Sequence, residues 1–340
     1  MRTLDHDNNF NLLRLIFAGL VIVSHVPELQ DGNTSNEILS RMFGTISFGD
    51  LAVDSFFVIS GFLIVKSWQD RPNGIVFLSN RILRIYPGFI AASLLCALFV
   101  GPFYGVANYF HDFEPSNFIL GLWLLILTGI PTVFPNTPYP RLNGAIWSIP
   151  FEFICYLLVL VCGLTGVLNR RWIWFLLFLI CAISHIANRM GMTHISFDVL
   201  IRCGMAFTAG GCFYLYRNLI AWRGYAAWVS LALFVGFLFI NPLAEPALCL
   251  FWGYAILYYA MEGTSLLGFN KYPDISYGVY LYAWPINKIL LWHFPTMNVY
   301  AAMAVVFVLS VCAGVVSSYL VEQPFMGLKR RFRQRALQPA

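Results

Sequence analysis

The chain has 340 residues, 59% of them hydrophobic and 11% charged, with mean hydropathy +0.71 and a formal net charge of +5. No soluble domain of this length can hide so much apolar surface, so the composition excludes one and indicates a polytopic membrane protein. The basic residues sit in short loops beside apolar segments, which marks orientation in a bilayer and excludes a nucleic-acid partner.

Ten apolar segments predict an all-α integral membrane fold, a bundle of about ten transmembrane helices, over residues 10–27, 49–66, 86–106, 145–165, 172–189, 197–216, 224–240, 246–262, 275–293 and 300–321. With the N-terminus inside, fifteen Lys and Arg fall on the inner side, including a basic tail within 322–340. Only Arg41, Arg141 and Arg189 fall outside, so both termini are expected to be cytoplasmic. Residues 118–134 are apolar enough to cross but are broken by Gly121, Gly129, Pro131 and Pro135. A crossing there would invert every later loop, so residues 107–144 are expected to hold a re-entrant or interfacial outer segment. Without repeats or low-complexity runs, residues 1–340 read as one domain. The eight Cys form no CxxC pair, so no metal site is expected.

The first segment, FNLLRLIFAGLVIVSHV at 10–26, carries Arg14 and His25. At 100° per residue their eleven-residue spacing puts them on one face, about 17 Å apart along the axis. Ionisable groups inside a membrane span are costly and usually face a bundle interior or a wet cavity. The second segment, GDLAVDSFFVISGFLIVK at 49–66, brings Asp54 to the outer third, with Asp50 at its start. The fourth, from NGAIWSIPFEFICYL at 143–157, brings Glu152 to a similar depth. A carboxylate beside an imidazole fixes its tautomer and raises its basicity, so Asp54 or Glu152 is the expected orienting partner of His25 as general base.

At the inner face FLSNRILRIYP, 77–87, places Arg81 and Arg84 one turn apart, with Tyr86 and Pro87 opening the third span. Such an Arg pair suits phosphate oxygens or lipid headgroups. The ninth span, from DISYGVYLYAWPINK at 274–288, offers the hydroxyls of Ser276 and Tyr280, and further out Lys288, an ammonium that needs a partner.

Together, the Arg14/His25 segment, GDLAVDSFFVISGFLI, NRILRIYP, NGAIWSIPFEF, ISYGVYLYAWP and the closing YLVEQPF resemble the acyltransferase-3 family of integral membrane O-acyltransferases along essentially the whole chain. The resemblance implies transfer of an acyl group, acetyl above all, from cytoplasmic acyl-CoA to a hydroxyl of an extracytoplasmic glycan or glycolipid. The expected setting is the bacterial cytoplasmic (inner) membrane. It implies His25 as the catalytic His with Arg14 as its partner in donor handling, and Asp54 and Glu152 at further motif positions. Donor contacts are then expected from Arg14, Arg81, Arg84, Tyr86, Ser276 and Tyr280, and acceptor contacts from Asn143, Trp147 and Lys288. Many members have His where this chain has Ala283. Some carry an additional esterase-like domain, and the expectation here is a stand-alone membrane domain. A proton-coupled exporter of a glycan or small molecule is the alternative that the same buried ionisable residues suggest.

Overall fold

The computed structural model describes residues 8–262, 269 and 272–328. Arg2, Lys271 and the tail from Lys329 onward, part of the orientation argument, lie outside the described residues. In chain order the main helices are α1 (Phe10–Asp31), α2 (Phe48–Asp70), α3 (Gly74–Leu95), α4 (Pro115–Leu124), α5 (Ile149–Leu164) and α6 (Arg171–Arg189). They continue with α7 (Asp198–Leu215), α8 (Gly224–Phe237), α9 (Asn241–Ala247), α10 (Ser276–His293) and α11 (Val299–Ser317). Turns of π-helix carry α3 on to Tyr104, α9 on to Glu262 and α11 on to Glu322 and beyond.

The described residues form no strand, only one isolated bridge between Gly105 and Val133. Seven helices among them are long and apolar enough to cross a membrane: α1, α2, Gly74–Tyr104, Ala145–Leu164, α6, Asn241–Met261 and Val299–Leu328. The all-α membrane class expected from the sequence is thus what the chain adopts. Helices α7, α8 and α10 occupy the remaining apolar segments.

Two helix starts differ from or refine the sequence reading. Pro87 suggested a span beginning at Tyr86, because Pro favours a first helical turn. Instead α3 starts at Gly74, where the Asn73 side chain accepts from the Val76 N–H at 3.0 Å, and it runs through Pro87. Asp50 does open α2: it closes a capping box with Ser47, each side chain accepting from the other's backbone N–H.

The chain divides into two compact units, residues 1–17, 38–78 and 151–272 in the first, and 18–37, 79–150 and 273–340 in the second. In the first unit α2 crosses α7 backbone to backbone. A Cβ on Gly61 would stand 1.9 Å from the Phe207 carbonyl oxygen, and one on Gly210 would stand 2.0 Å from that of Val58. With no hydrophobic drive between helices in lipid, such close small-residue contact supplies the packing. Gly210→Val therefore forces the pair apart at a cost of about 1–3 kcal/mol or more. The expected result is a lower melting temperature in detergent and poor recovery of monodisperse protein, with Gly236→Val, where a Cβ meets nothing within 4 Å, as the neutral control.

In the second unit Cys96, Val100, Tyr109, Phe118, Val133, Phe134 and Leu142 form a core under the segment after α3. Helix α4 has 10 residues, half of the roughly 20 needed to span. It stops at Leu125, which adopts φ 59°, and the chain returns so that the Phe134 N–H donates to the Tyr104 carbonyl at 2.8 Å. Yet the Tyr86 hydroxyl donates to the Trp123 carbonyl at 2.8 Å. On a straight helix Tyr86 and Tyr104 are about 27 Å apart. The excursion therefore leaves the end of α3, reaches back along it and returns, as a re-entrant segment does. Its outer face carries the exposed Ile119, Leu120, Trp123 and Leu124.

Candidate functional site

The second unit gathers most of the residues singled out in the sequence. Helix α1 does not end at Pro27 but continues to Asp31, so Glu28 lies on it three residues after His25. Residues three apart share a helix face. His25 Nδ1 meets Glu28 Oε2 at 2.9 Å, the two side chains being 19% and 16% exposed. The imidazole stands edge-on to the Trp284 ring, centroids 5.1 Å apart. Tyr139, at φ 53°, places its own ring 6.2 Å from Trp284. Burial pushes the Tyr139 phenol above its ordinary pKa, and the Glu28 and Asp31 carboxylates add to that against the pull of Arg141. With Nδ1–H donated to a carboxylate, the lone pair sits on Nε2, which makes no hydrogen bond to any described residue. That is the tautomer a general base needs.

The expected partner of His25 was Asp54 or Glu152; the observed one is Glu28, which the sequence reading left in the outer loop because Pro27 looked like a helix end. A His-x-x-Glu spacing was the signal available. Asp54 and Glu152 belong to the first unit and have other partners. Asp54 is fully buried on α2 and accepts from Arg202 Nε at 3.0 and 3.2 Å, while Arg202 Nη1 reaches Asp50 at 2.7 Å. Glu152 accepts from Ser60 Oγ at 2.8 Å and from the Tyr156 hydroxyl at 2.5 Å. Arg14 lies half-buried on the same unbroken α1 as His25.

The loop between α4 and α5 is fixed by three of the anticipated residues. Lys288 Nζ donates to Thr137 Oγ1 at 2.6 Å and to the Pro138 carbonyl at 2.7 Å, and stands 5.3 Å from the Phe134 ring centre. It thus meets a hydroxyl, a carbonyl and a ring face, not the carboxylate its charge suggested, and is 2% exposed. Asn143 donates to the Leu281 carbonyl at 2.8 Å and accepts from the Ala145 N–H. The Tyr280 hydroxyl bonds to the Ala145 carbonyl and to Ser148 Oγ. Lys288 and Tyr280 therefore shape the loop. Asn143 and Trp147 also line a cavity of about 450 Å³, together with Ile126, Leu127, Ile130, Arg141 and neighbours in the same segment.

The residues expected to hold the donor are tied into the second unit as well. Arg84 Nη2 meets Asp274 Oδ2 at 2.6 Å and Nη1 meets Glu322 Oε2 at 3.6 Å. Asp274 also accepts from the N–H and Oγ of Ser276, starting α10. The Arg84 and Ser276 groups are thus committed to carboxylates, and the Tyr86 hydroxyl to the re-entrant turn. Arg81, one turn before Arg84, is half-buried. The first unit holds another group that sequence reading passed over: His185, whose Nδ1 meets Asp198 at 3.1 Å and Nε2 faces Glu245 at 3.5 Å.

A helical chain whose described residues include seven apolar helices of spanning length, with ionisable side chains such as His25 and Asp54 paired within them, is an integral membrane protein. A model of an acyltransferase domain matches residues 7–322, and the chain belongs to that acyltransferase family, as its motifs suggested. It is 31% identical over 156 residues to an O-acetyl transferase of Shigella phage Sf6, 44% of each chain. It is 30% identical over 179 residues to nodulation protein 10 of Rhizobium leguminosarum bv. viciae, 49% of this chain and 46% of that one. The acyltransferase MdmB of Streptomyces mycarofaciens is 24% identical over 149 residues, 43% of this chain and 36% of that one. The chain therefore spans less than half the length of these curated relatives. No solved structure matches.

Proposed function

We propose that the chain is an O-acyltransferase of a bacterial cytoplasmic membrane, moving an acyl group, acetyl first among them, from cytoplasmic acyl-CoA to a hydroxyl of an extracytoplasmic glycan or glycolipid. The observation that carries the reading is the His25–Glu28 pair, with Nδ1 held by the carboxylate and Nε2 left to accept a proton. In the step, the acceptor oxygen bonds to the thioester carbonyl carbon and its proton passes to His25 Nε2. The C–S bond then breaks, and the CoA thiolate leaves and takes up the proton. Glu28 keeps the imidazole in its basic tautomer and offsets the charge it gains.

The phosphates of the donor are assigned to the inner end of α3, at Arg81 and Arg84. Because Arg84 is already shared by Asp274 and Glu322, engaging phosphate there requires at least one of those ion pairs to open. The cavity lined by Asn143 and Trp147 is the assigned acceptor side.

The test is proteoliposomes given labelled acetyl-CoA on one side and acceptor glycan on the other. Label appearing on the acceptor, without net solute flux, is the expected result. Proton-coupled flux of the glycan without acylation would replace this reading with that of an exporter.

A further inference from the structure

The cavity of about 450 Å³ falls within the range of about 300–1,000 Å³ typical of small-ligand sites. Its lining comes from two stretches of chain. The return limb of the re-entrant segment gives Ile126, Leu127, Ile130, Pro131 and Thr132. The polar wall, before α5, carries Arg141, Asn143 and Trp147 beside the apolar Leu142 and Ile146. Arg141 is the single charged residue in the lining, its side chain is exposed, and its guanidinium makes no hydrogen bond or ion pair with any described residue. The Asn143 amide, by contrast, is spent on the Leu281 carbonyl.

The polar wall is stiff. The Arg141 carbonyl accepts from Trp284 Nε1 at 3.4 Å, and a Cβ on Gly144 would stand 2.5 Å from the Trp284 ring. Phe134, Asn136 and Tyr139 in the same loop all hold positive φ, a conformation that costs free energy in residues other than Gly and marks built sites. Trp284 meets both His25 and Gly144 of this wall, so one side chain links the proposed base to the cavity lining.

We infer that the cavity binds the phosphate end of a lipid-linked acceptor, with the phosphate on Arg141 and the start of its hydrocarbon chain along Ile126, Leu127, Ile130 and Pro131. A guanidinium holds phosphate oxygens through paired N–H donors, and apolar side chains that are partly open beside it, Ile126 most of all, suit a hydrocarbon chain. A neutral soluble glycan would leave both features unused. The position of Arg141, two residues from the Tyr139 that faces Glu28, brings the head group of such a ligand to the base. The assignment of this ligand as acceptor rests on the proposed acyl transfer, whereas its binding does not.

The full chain in a neutral detergent, without any acyl donor, is titrated with farnesyl phosphate and followed by native mass spectrometry. Farnesol, glucose 1-phosphate and phosphatidylglycerol serve as comparisons. The wild type is expected to retain farnesyl phosphate at a concentration at least about tenfold below that needed by Arg141→Gln, with Arg141→Lys between them, while farnesol retention is the same in all three. A photoreactive farnesyl phosphate should crosslink within 126–147. Equal retention by Arg141→Gln, or equal retention of glucose 1-phosphate, overturns the inference. So does displacement by equimolar phosphatidylglycerol, which makes the cavity an ordinary annular lipid site. A chain that binds farnesyl phosphate as expected yet transfers no acyl group defeats the proposed function alone.

Discussion

His25→Ala is expected to abolish acyl transfer, with a loss of about 10²–10⁴-fold for removal of a general base, while the protein keeps its melting temperature. The side chain is 19% exposed, bonds to one carboxylate and meets the Trp284 ring edge-on, so its removal leaves no fully buried group unpaired. The sharper result concerns Glu28. Its carboxylate can only accept, which forces the proton of a neutral imidazole onto Nδ1 and the lone pair onto Nε2. In Glu28→Gln the carboxamide N–H₂ can donate to Nδ1, which puts the imidazole proton on Nε2, where the base should act. Glu28→Gln should therefore lose on the order of a hundredfold in kcat and be no better than Glu28→Ala, although it is the closer replacement in shape. KM for the acyl donor should change little, because the pair meets the acceptor oxygen. Near wild-type turnover in Glu28→Gln would remove Glu28 from the mechanism.

Asp54→Ala should damage the fold, not the chemistry. Asp54 is fully buried and shares Arg202 with Asp50, across a separation of 148 residues in the chain. Removing Asp54 leaves the buried Arg202 with Asp50 as its one remaining carboxylate and unpairs its Nε, at a cost of up to about 3–5 kcal/mol. For a chain of this size that corresponds to a fall in melting temperature of about 4–7 °C. Asp54→Leu with Arg202→Met should recover much of the loss, because no cation is then buried beside a missing carboxylate and Asp50, one-third exposed, keeps its hydrogen bonds from Ser47. If instead Asp54→Asn folds normally but cannot transfer, Asp54 takes part in the reaction and the structural reading is wrong. The two predictions separate the carboxylates cleanly: Glu28 variants should be folded and inactive, Asp54 variants unstable.

Trp147 and Arg141 line the proposed acceptor cavity, whereas Lys288 and Tyr280, anticipated as ligand contacts, hold the loop that forms it. A shape-determining residue and a ligand-touching residue can look alike in sequence, since both are polar groups in apolar surroundings that need a partner. Which partner they find depends on where a distant loop returns.

The sequence by itself determined the membrane environment, the helical class, the segments that become helices and the presence of Arg14 and His25 on one face of the first of them. Those follow from local chemistry: apolar runs long enough to span, Gly and Pro that interrupt residues 118–134, and the fixed rotation per helical residue. Only the tertiary structure decided who pairs with whom. Glu28 joined His25 because α1 continued through Pro27, Asp54 went to Arg202, and Arg84 went to Asp274, 190 residues away, and to Glu322. A buried charge is bound to find a counter-charge or hydrogen-bond partner, and its own segment states that need plainly. The identity of the partner is set by which helices pack together, and that choice is made by close contacts such as Gly61 and Gly210 that carry no charge at all.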